Sequence, residues 1–141
     1  MVEPTARLAP SPAILLGALA LLAAGTIGLL ATRAWLSAQE GMAVARALTG
    51  GDPARAPALL NRYGCGGCHT IPGMAGADGQ VGPVLRTLRQ RVYIAGSLPN
   101  TAPNLVAFLV DPQRFRPRSA MPVTGISADE ARDVAAWLYA R

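Results

Sequence analysis

Both cysteines and the single histidine of this chain, Cys65, Cys68 and His69, stand within the stretch YGCGGCHTIPG (63–73). Thiolate and imidazole are zinc ligands, and a Cys-x-x-Cys pair can cycle between dithiol and disulfide. Two thiols at this spacing followed at once by histidine are also the pattern of covalent haem attachment. Zinc wants about four ligands, usually as two separated pairs, and the chain has no cysteine or histidine beyond these three. A redox dithiol belongs at a helix N-terminus in a βαβ setting. Here the block follows a helical stretch and leads into Gly- and Pro-rich chain. A plain disulfide would leave His69 without a role. Haem attachment uses all three residues: two thiols add to the two vinyl groups of one porphyrin, and the next residue stands under the iron as an imidazole ligand.

The elements that must hold this block are helical. Asp52-Pro53 or Pro57 can open a helix that runs to about Tyr63, because proline suits a first helical turn. Residues 64–82 are rich in glycine and proline and read as loop. PVLRTLRQR (83–91) predicts a short helix, and YIAGSLPNT a turn-rich link. A helix follows with Thr101 as its N-cap, and Pro112, Pro117 and Pro122 predict irregular chain over 112–126. The last helix is marked most clearly. Ser127 and Glu130 form a capping-box pattern, and Ala131, Val134, Ala135 and Leu138 follow at helical spacing. No alternating run is long enough to predict a strand pairing. The expected fold class is all-α.

Composition adds an anchor. The 51% apolar fraction is concentrated in AILLGALALLAAGTIGLLATRAWL (13–36), which carries no charge before Arg33. About twenty apolar residues cross a bilayer core of roughly 30 Å as a helix, and Trp35 suits the interface. A signal peptide has a shorter apolar stretch, about 7–15 residues, so an uncleaved anchor is expected. The expected organisation is a tail and transmembrane anchor over 1–36, a linker over 37–52 and one domain over 53–141. Glu3 and Arg7 before the apolar run, and Arg33 and Arg46 after it, give no clear positive-inside bias. From residue 36 onward eleven arginines oppose seven carboxylates, a net +4, with no lysine and no basic run. That pattern points away from nucleic acid and suits an acidic protein face. The domain has few aromatic residues and long loops. A chain of that size has a modest core, so a large apolar cofactor is expected to fill its centre.

With these elements in order, residues 53–140 resemble class I c-type cytochromes. That family has a helix before Cys-x-x-Cys-His, a Gly-Pro in the following loop, a later methionine, and a C-terminal helix crossing the first. Gly82-Pro83, Met121 and 127–140 occupy those places. The stretch YIAGSLPNTAPNLVAFLVDPQRFRPRSAMP is similar to the cytochrome c domain fused to subunit II of some haem-copper oxidases, without the copper-binding part. Ala56 and Leu60 stand where the family often has glycine and an aromatic residue, and Trp137 offers compensating bulk.

The resemblance implies one haem c bound through Cys65 and Cys68, with His69 and Met121 as the axial iron ligands. Met1 and Met42 belong to the tail and linker, and Met74 is too close to His69 to reach the other face. The Pro83 carbonyl is expected to accept the Nδ1 proton of His69, and Arg89, Arg91, Tyr93 and Asn100 to face the haem propionates. With both axial positions filled, electron transfer rather than an enzyme reaction is expected. Haem is attached outside the cytoplasm in such proteins. The implied location is therefore a bacterial inner membrane, single-pass, with the domain on the periplasmic side. Implied partners are the lipid bilayer and redox proteins of the same respiratory-chain membrane: a quinol-oxidising complex, a terminal oxidase or a dehydrogenase.

Overall fold

The computed structural model describes residues 11–141; the tail with Met1, Glu3 and Arg7 lies outside the described residues. Pro12–Thr49 is one continuous helix, α1, of 38 residues. At 1.5 Å per residue it is about 57 Å long, and it is long and apolar enough to cross a membrane. Its leucines and isoleucines from Ile14 to Leu36 are exposed. The hydroxyls of Thr26 and Thr32 donate to the carbonyls of Ala23 and Gly28 in the same helix. That leaves no unpaired hydroxyl proton on the apolar stretch, as hydrocarbon surroundings require.

By contacts the chain falls into two units, one ending at Ser37 and the other running Ala38–Arg141. Residues 38–49, within the 37–52 linker and favouring helix by composition, continue α1 and belong to the second unit, where Ala45 and Thr49 are buried. Thr49 turns the chain: its hydroxyl donates to the Ala45 carbonyl and accepts from the Gly51 N–H. Gly50 then adopts φ +71°, the left-handed conformation that ends helices at low cost in glycine.

The second unit is built from short helices. A single 3-10 turn at Pro53–Arg55 is capped by the Asp52 carboxylate and runs into α2, Ala56–Arg62. Both proline starts legible in the sequence are thus used, one for each element. A one-turn helix α3, Cys65–Cys68, follows, then a 3-10 turn at Leu88–Gln90, the two-residue strands β1 (Tyr93–Ile94) and β2 (Leu98–Pro99), and α4, Ala102–Val110. The chain ends with α5, Pro112–Phe115, and α6, Ala128–Tyr139. Thr101 caps α4, and Ser127 and Glu130 close both halves of the capping box on α6.

The core lies where α6 meets α2, α4 and the first 3-10 turn. Ala56, Ala131 and Ala135 are wholly buried, with Leu60 and Val134 beside them. Small residues let helix axes approach closely, and each large apolar side chain buried there stabilises the fold by about 1.5–3 kcal/mol. The small Ala56 therefore works as a close-contact residue. Trp137 supplies bulk at the end of α6, 7% exposed and stacked under the Arg141 guanidinium at 3.9 Å. Gly51 touches α6 so closely that a Cβ there would collide with the Arg132 carbonyl.

Four expectations need correction. The stretch 64–82, expected to be loop, opens with the helical turn α3, which left-handed Gly64 starts. The helix expected over 83–91 exists only as the 3-10 turn 88–90. The carbonyls of Pro83 and Val84 are taken by side chains, and Thr87 is left-handed at φ +53°, so no helical ladder can form. The link 93–99 makes a two-residue antiparallel pairing, Tyr93 with Pro99 and Ile94 with Leu98, too short to leave an alternation signal. The stretch expected to be irregular after Val110 holds α5. Asp111 caps the Arg114 N–H, Pro112 fits the first turn, and Phe115 packs on Phe108 with ring centroids 6.4 Å apart.

Candidate functional site

Gly64, left-handed at φ +65°, turns the chain from α2 into α3. The Cys block is therefore one helical turn, closed by His69 N–H donating to the Cys65 carbonyl. After His69 the chain runs extended and folds back. Ile71 N–H donates to the Ala77 carbonyl, Thr70 bridges Asp78, and Gly79 N–H returns to the Gly66 carbonyl at 3.0 Å. The second pass closes the site: Gly82 N–H donates to the Cys68 carbonyl at 2.7 Å, and Leu85 N–H to that of Thr70 at 2.9 Å.

This pairing places Pro83 against His69, with the carbonyl oxygen 2.7 Å from Nδ1. A carbonyl only accepts, so Nδ1 carries the proton and Nε2 keeps its lone pair free for a metal. The ring lies flat against Gly82, where a Cβ would sit 2.6 Å from Nδ1. Gly82 and Pro83 thus serve one imidazole in two ways: one makes room for the ring, the other fixes its tautomer.

Cys65 and Cys68 are free thiols, both half-buried. Burial raises the Cys65 pKa above its ordinary value, the reverse of the activated thiolate a redox dithiol requires. Among the described residues no three His, Cys, Asp or Glu side chains gather as a metal cluster. The donor set fits haem c instead: two free thiols, an imidazole with Nε2 available, and a glycine face beneath the ring.

Met121 is half-buried against the core, in the loop between α5 and α6. Its N–H donates to Ser119 Oγ at 3.2 Å. Its carbonyl accepts from the Gln113 side-chain amide at 2.8 Å. Met74 also packs on the core, in the turn where its N–H donates to the Ile71 carbonyl. Met42 lines a small pocket with Pro53, Pro57 and Trp137.

The four expected propionate partners are placed differently from one another. Arg89 is exposed on the 3-10 turn, and Tyr93 is 54% exposed on β1. Arg91 is half-buried and donates through Nη2 to the Val84 carbonyl at 2.7 Å, keeping further N–H groups free. Asn100 uses its whole amide inside the fold. Nδ2 donates to the carbonyls of Leu88 and Arg91, both at 2.7 Å, and Oδ1 accepts from the Tyr139 hydroxyl at 2.8 Å. Neither of its two amide protons remains for a propionate.

Sequence reasoning missed two clusters that hold the site. Tyr63, next but one before Cys65, donates its hydroxyl to Glu130 at 2.8 Å. Glu130 also accepts from the Ser127 N–H and hydroxyl and pairs with Arg62 at 3.3 Å. Backbone and side-chain hydrogen bonds to the carboxylate, from Ser127 first and Tyr63 next, lower its pKa from 4.5 to about 2. The capping-box pattern was visible, but the tyrosine that joins it lies on another element. The second cluster centres on Gln113, a lone amide with no pattern to mark it, which bonds Ser119, Met121 and Arg118; separately, Tyr139, which the helical spacing after Ala135 would have placed on the buried face, bonds Asn100.

Compared with known protein families, residues 53–140 match cytochrome c. No curated protein and no solved structure matches the chain. With the Cys block, the Gly82-Pro83 support of His69 and the crossing of α2 with α6 all inside the matched residues, the chain belongs to the cytochrome c family.

Proposed function

We propose that this protein is a membrane-tethered monohaem cytochrome c. It passes single electrons between respiratory-chain complexes on the periplasmic side of a bacterial inner membrane, with α1 as its uncleaved anchor. The observation that carries this reading is the 2.7 Å pairing of His69 Nδ1 with the Pro83 carbonyl, beside two free thiols. The haem supplies the one-electron couple. Cys65 and Cys68 would hold it by thioethers, and His69 Nε2 and the Met121 sulfur would ligate its iron. His and Met ligation raises the reduction potential and leaves no axial position for a substrate, so the role is carriage rather than catalysis. The Pro83 carbonyl keeps His69 in one tautomer and raises its basicity. Arg89 and Arg91 are the cationic partners for the propionates, with Tyr93 as a hydroxyl donor.

Met121→Ala tests the ligand set. The variant should keep its covalent haem, show a lower potential, and bind carbon monoxide in the ferrous form where the wild type does not. Equal carbon monoxide binding by both proteins removes Met121 from the ligand set.

A second reading makes the chain the permanent haem c subunit of a larger membrane oxidoreductase: a nitric oxide reductase, a terminal oxidase or a dehydrogenase. The similarity of residues 93–122 to the oxidase-fused module supports it. So do Gly17, Gly25 and Gly28, whose faces on α1 are open and suit close helix packing. Purification in mild detergent separates the readings: a lone haem protein supports the carrier, and a stoichiometric complex the subunit.

A further inference from the structure

The side chain of Gln113 takes hold of three main-chain groups of one short loop. Nε2 donates to the carbonyls of Ser119 and Met121, both at 2.8 Å, and Oε1 accepts from the Arg118 N–H at 3.1 Å. The loop has little else to fix it. Arg118 is left-handed at φ +71°, a conformation unfavourable for a residue with a side chain, and Pro117 and Pro122 supply no N–H. Ser119 adds two bonds, its N–H to the Arg116 carbonyl and its hydroxyl under the Met121 N–H.

Gln113 can do this because α5 presents it. Asp111 caps that single turn, Pro112 is buried in its first position, and Phe115 locks it onto Phe108 of α4. A helical turn anchored at both ends therefore aims one amide across the loop. The amide has two donors and one strong acceptor in a fixed plane, and each finds a backbone partner.

We propose that Gln113 is the positioning residue of the Met121 loop, a clamp that sets how readily Met121 swings away from the iron. This rests on Met121 as an axial ligand. An exogenous ligand can enter only when that loop opens, so its binding rate measures the clamp. Each neutral hydrogen bond contributes about 1 kcal/mol net, so losing two of them should speed opening about thirty-fold.

The test uses the full-length haem-loaded protein in detergent, with cyanide binding to the ferric form and carbon monoxide binding to the ferrous form. Gln113→Glu keeps the shape and the acceptor but removes both donors. It should bind cyanide about thirty-fold faster than wild type, keep its low-spin spectrum at rest, and show faster amide exchange at Arg118 and Met121. Binding within two-fold of wild type overturns the proposal. If Gln113→Glu does not hold haem, Gln113→Met, which conserves volume and removes all three bonds, decides by the same criterion. Failure of both to hold haem also overturns it, because a loop clamp leaves attachment through Cys65 and Cys68 intact. Met121→Ala is measured alongside: a wild type that binds cyanide as fast as this variant refutes the ligand reading itself, before Gln113 is considered.

Discussion

At the scale of single residues, the site depends on groups that each serve one neighbour. Pro83 offers a carbonyl and no N–H, and that carbonyl is directed at His69. Asn100 shows how a residue type suited to one role is used for another. An amide beside two arginines fits a carboxylate ligand, yet it instead ties the 3-10 turn to α6 through Tyr139. Glu130 carries a pH prediction. Its folded pKa is depressed from 4.5 to about 2, so its contribution to stability is fully present above about pH 5 and is lost as pH falls through the interval between these values. Glu130→Gln should therefore lower the melting temperature at pH 7, and the gap from wild type should shrink as pH drops from 5 to 2. Thermal melts followed by circular dichroism across that range check this; a gap independent of pH removes the carboxylate from the account.

At the scale of elements, the two glycines inside the Cys block are not equivalent. A Cβ on Gly66 would lie 2.8 Å from the Ala77 Cβ, whereas one on Gly67 would meet nothing within 4 Å. The α3 turn packs by Gly66 against the returning loop, and that loop carries the chain on to Gly82 and Pro83. Gly66→Ala should cost about 1–3 kcal/mol through overpacking and reduce the yield of haem-loaded protein. Gly67→Ala should match wild type in both. Denaturant titration of the two variants, with haem content by absorbance, checks the difference. α5 makes a related point: one turn of helix, worth little by itself, matters because its neighbours hold it and its side chain reaches a loop.

At the scale of the whole molecule, the charge pattern bears on partners. Arg114, Arg116 and Arg118 are exposed and make no ion pair among the described residues. Arg114 lies on α5, and Arg116 and Arg118 lie in the chain between α5 and Met121. Under the carrier reading they greet an acidic partner near the haem edge. Replacing all three by alanine should slow reduction by the partner about ten-fold at low ionic strength, with the difference closing as salt rises. Stopped-flow reduction across a salt series measures it, and an unchanged rate at low salt would rule the rim out as the docking face.

Sequence by itself determined the features that rest on local chemistry. Spacing identified Cys65, Cys68 and His69 as one block. The capping residues Thr101 and Ser127 and the apolar spacing after Glu130 marked the helices, and uninterrupted apolar chain marked α1. These signals are short-range, because thiol spacing, caps and helical periodicity act within a few residues. Tertiary structure decided what depends on partners far along the chain. The carbonyl of Pro83 prevents a helix at 83–91 because it is needed fourteen positions away at His69. The Asn100 amide is occupied by Leu88, Arg91 and Tyr139 rather than free for a ligand. Gln113 gained its role only when α5 was locked between Asp111 and Phe108. A hydrogen bond is indifferent to sequence distance. Residues that form such bonds across loops therefore leave no periodic trace, and only the folded chain reveals them.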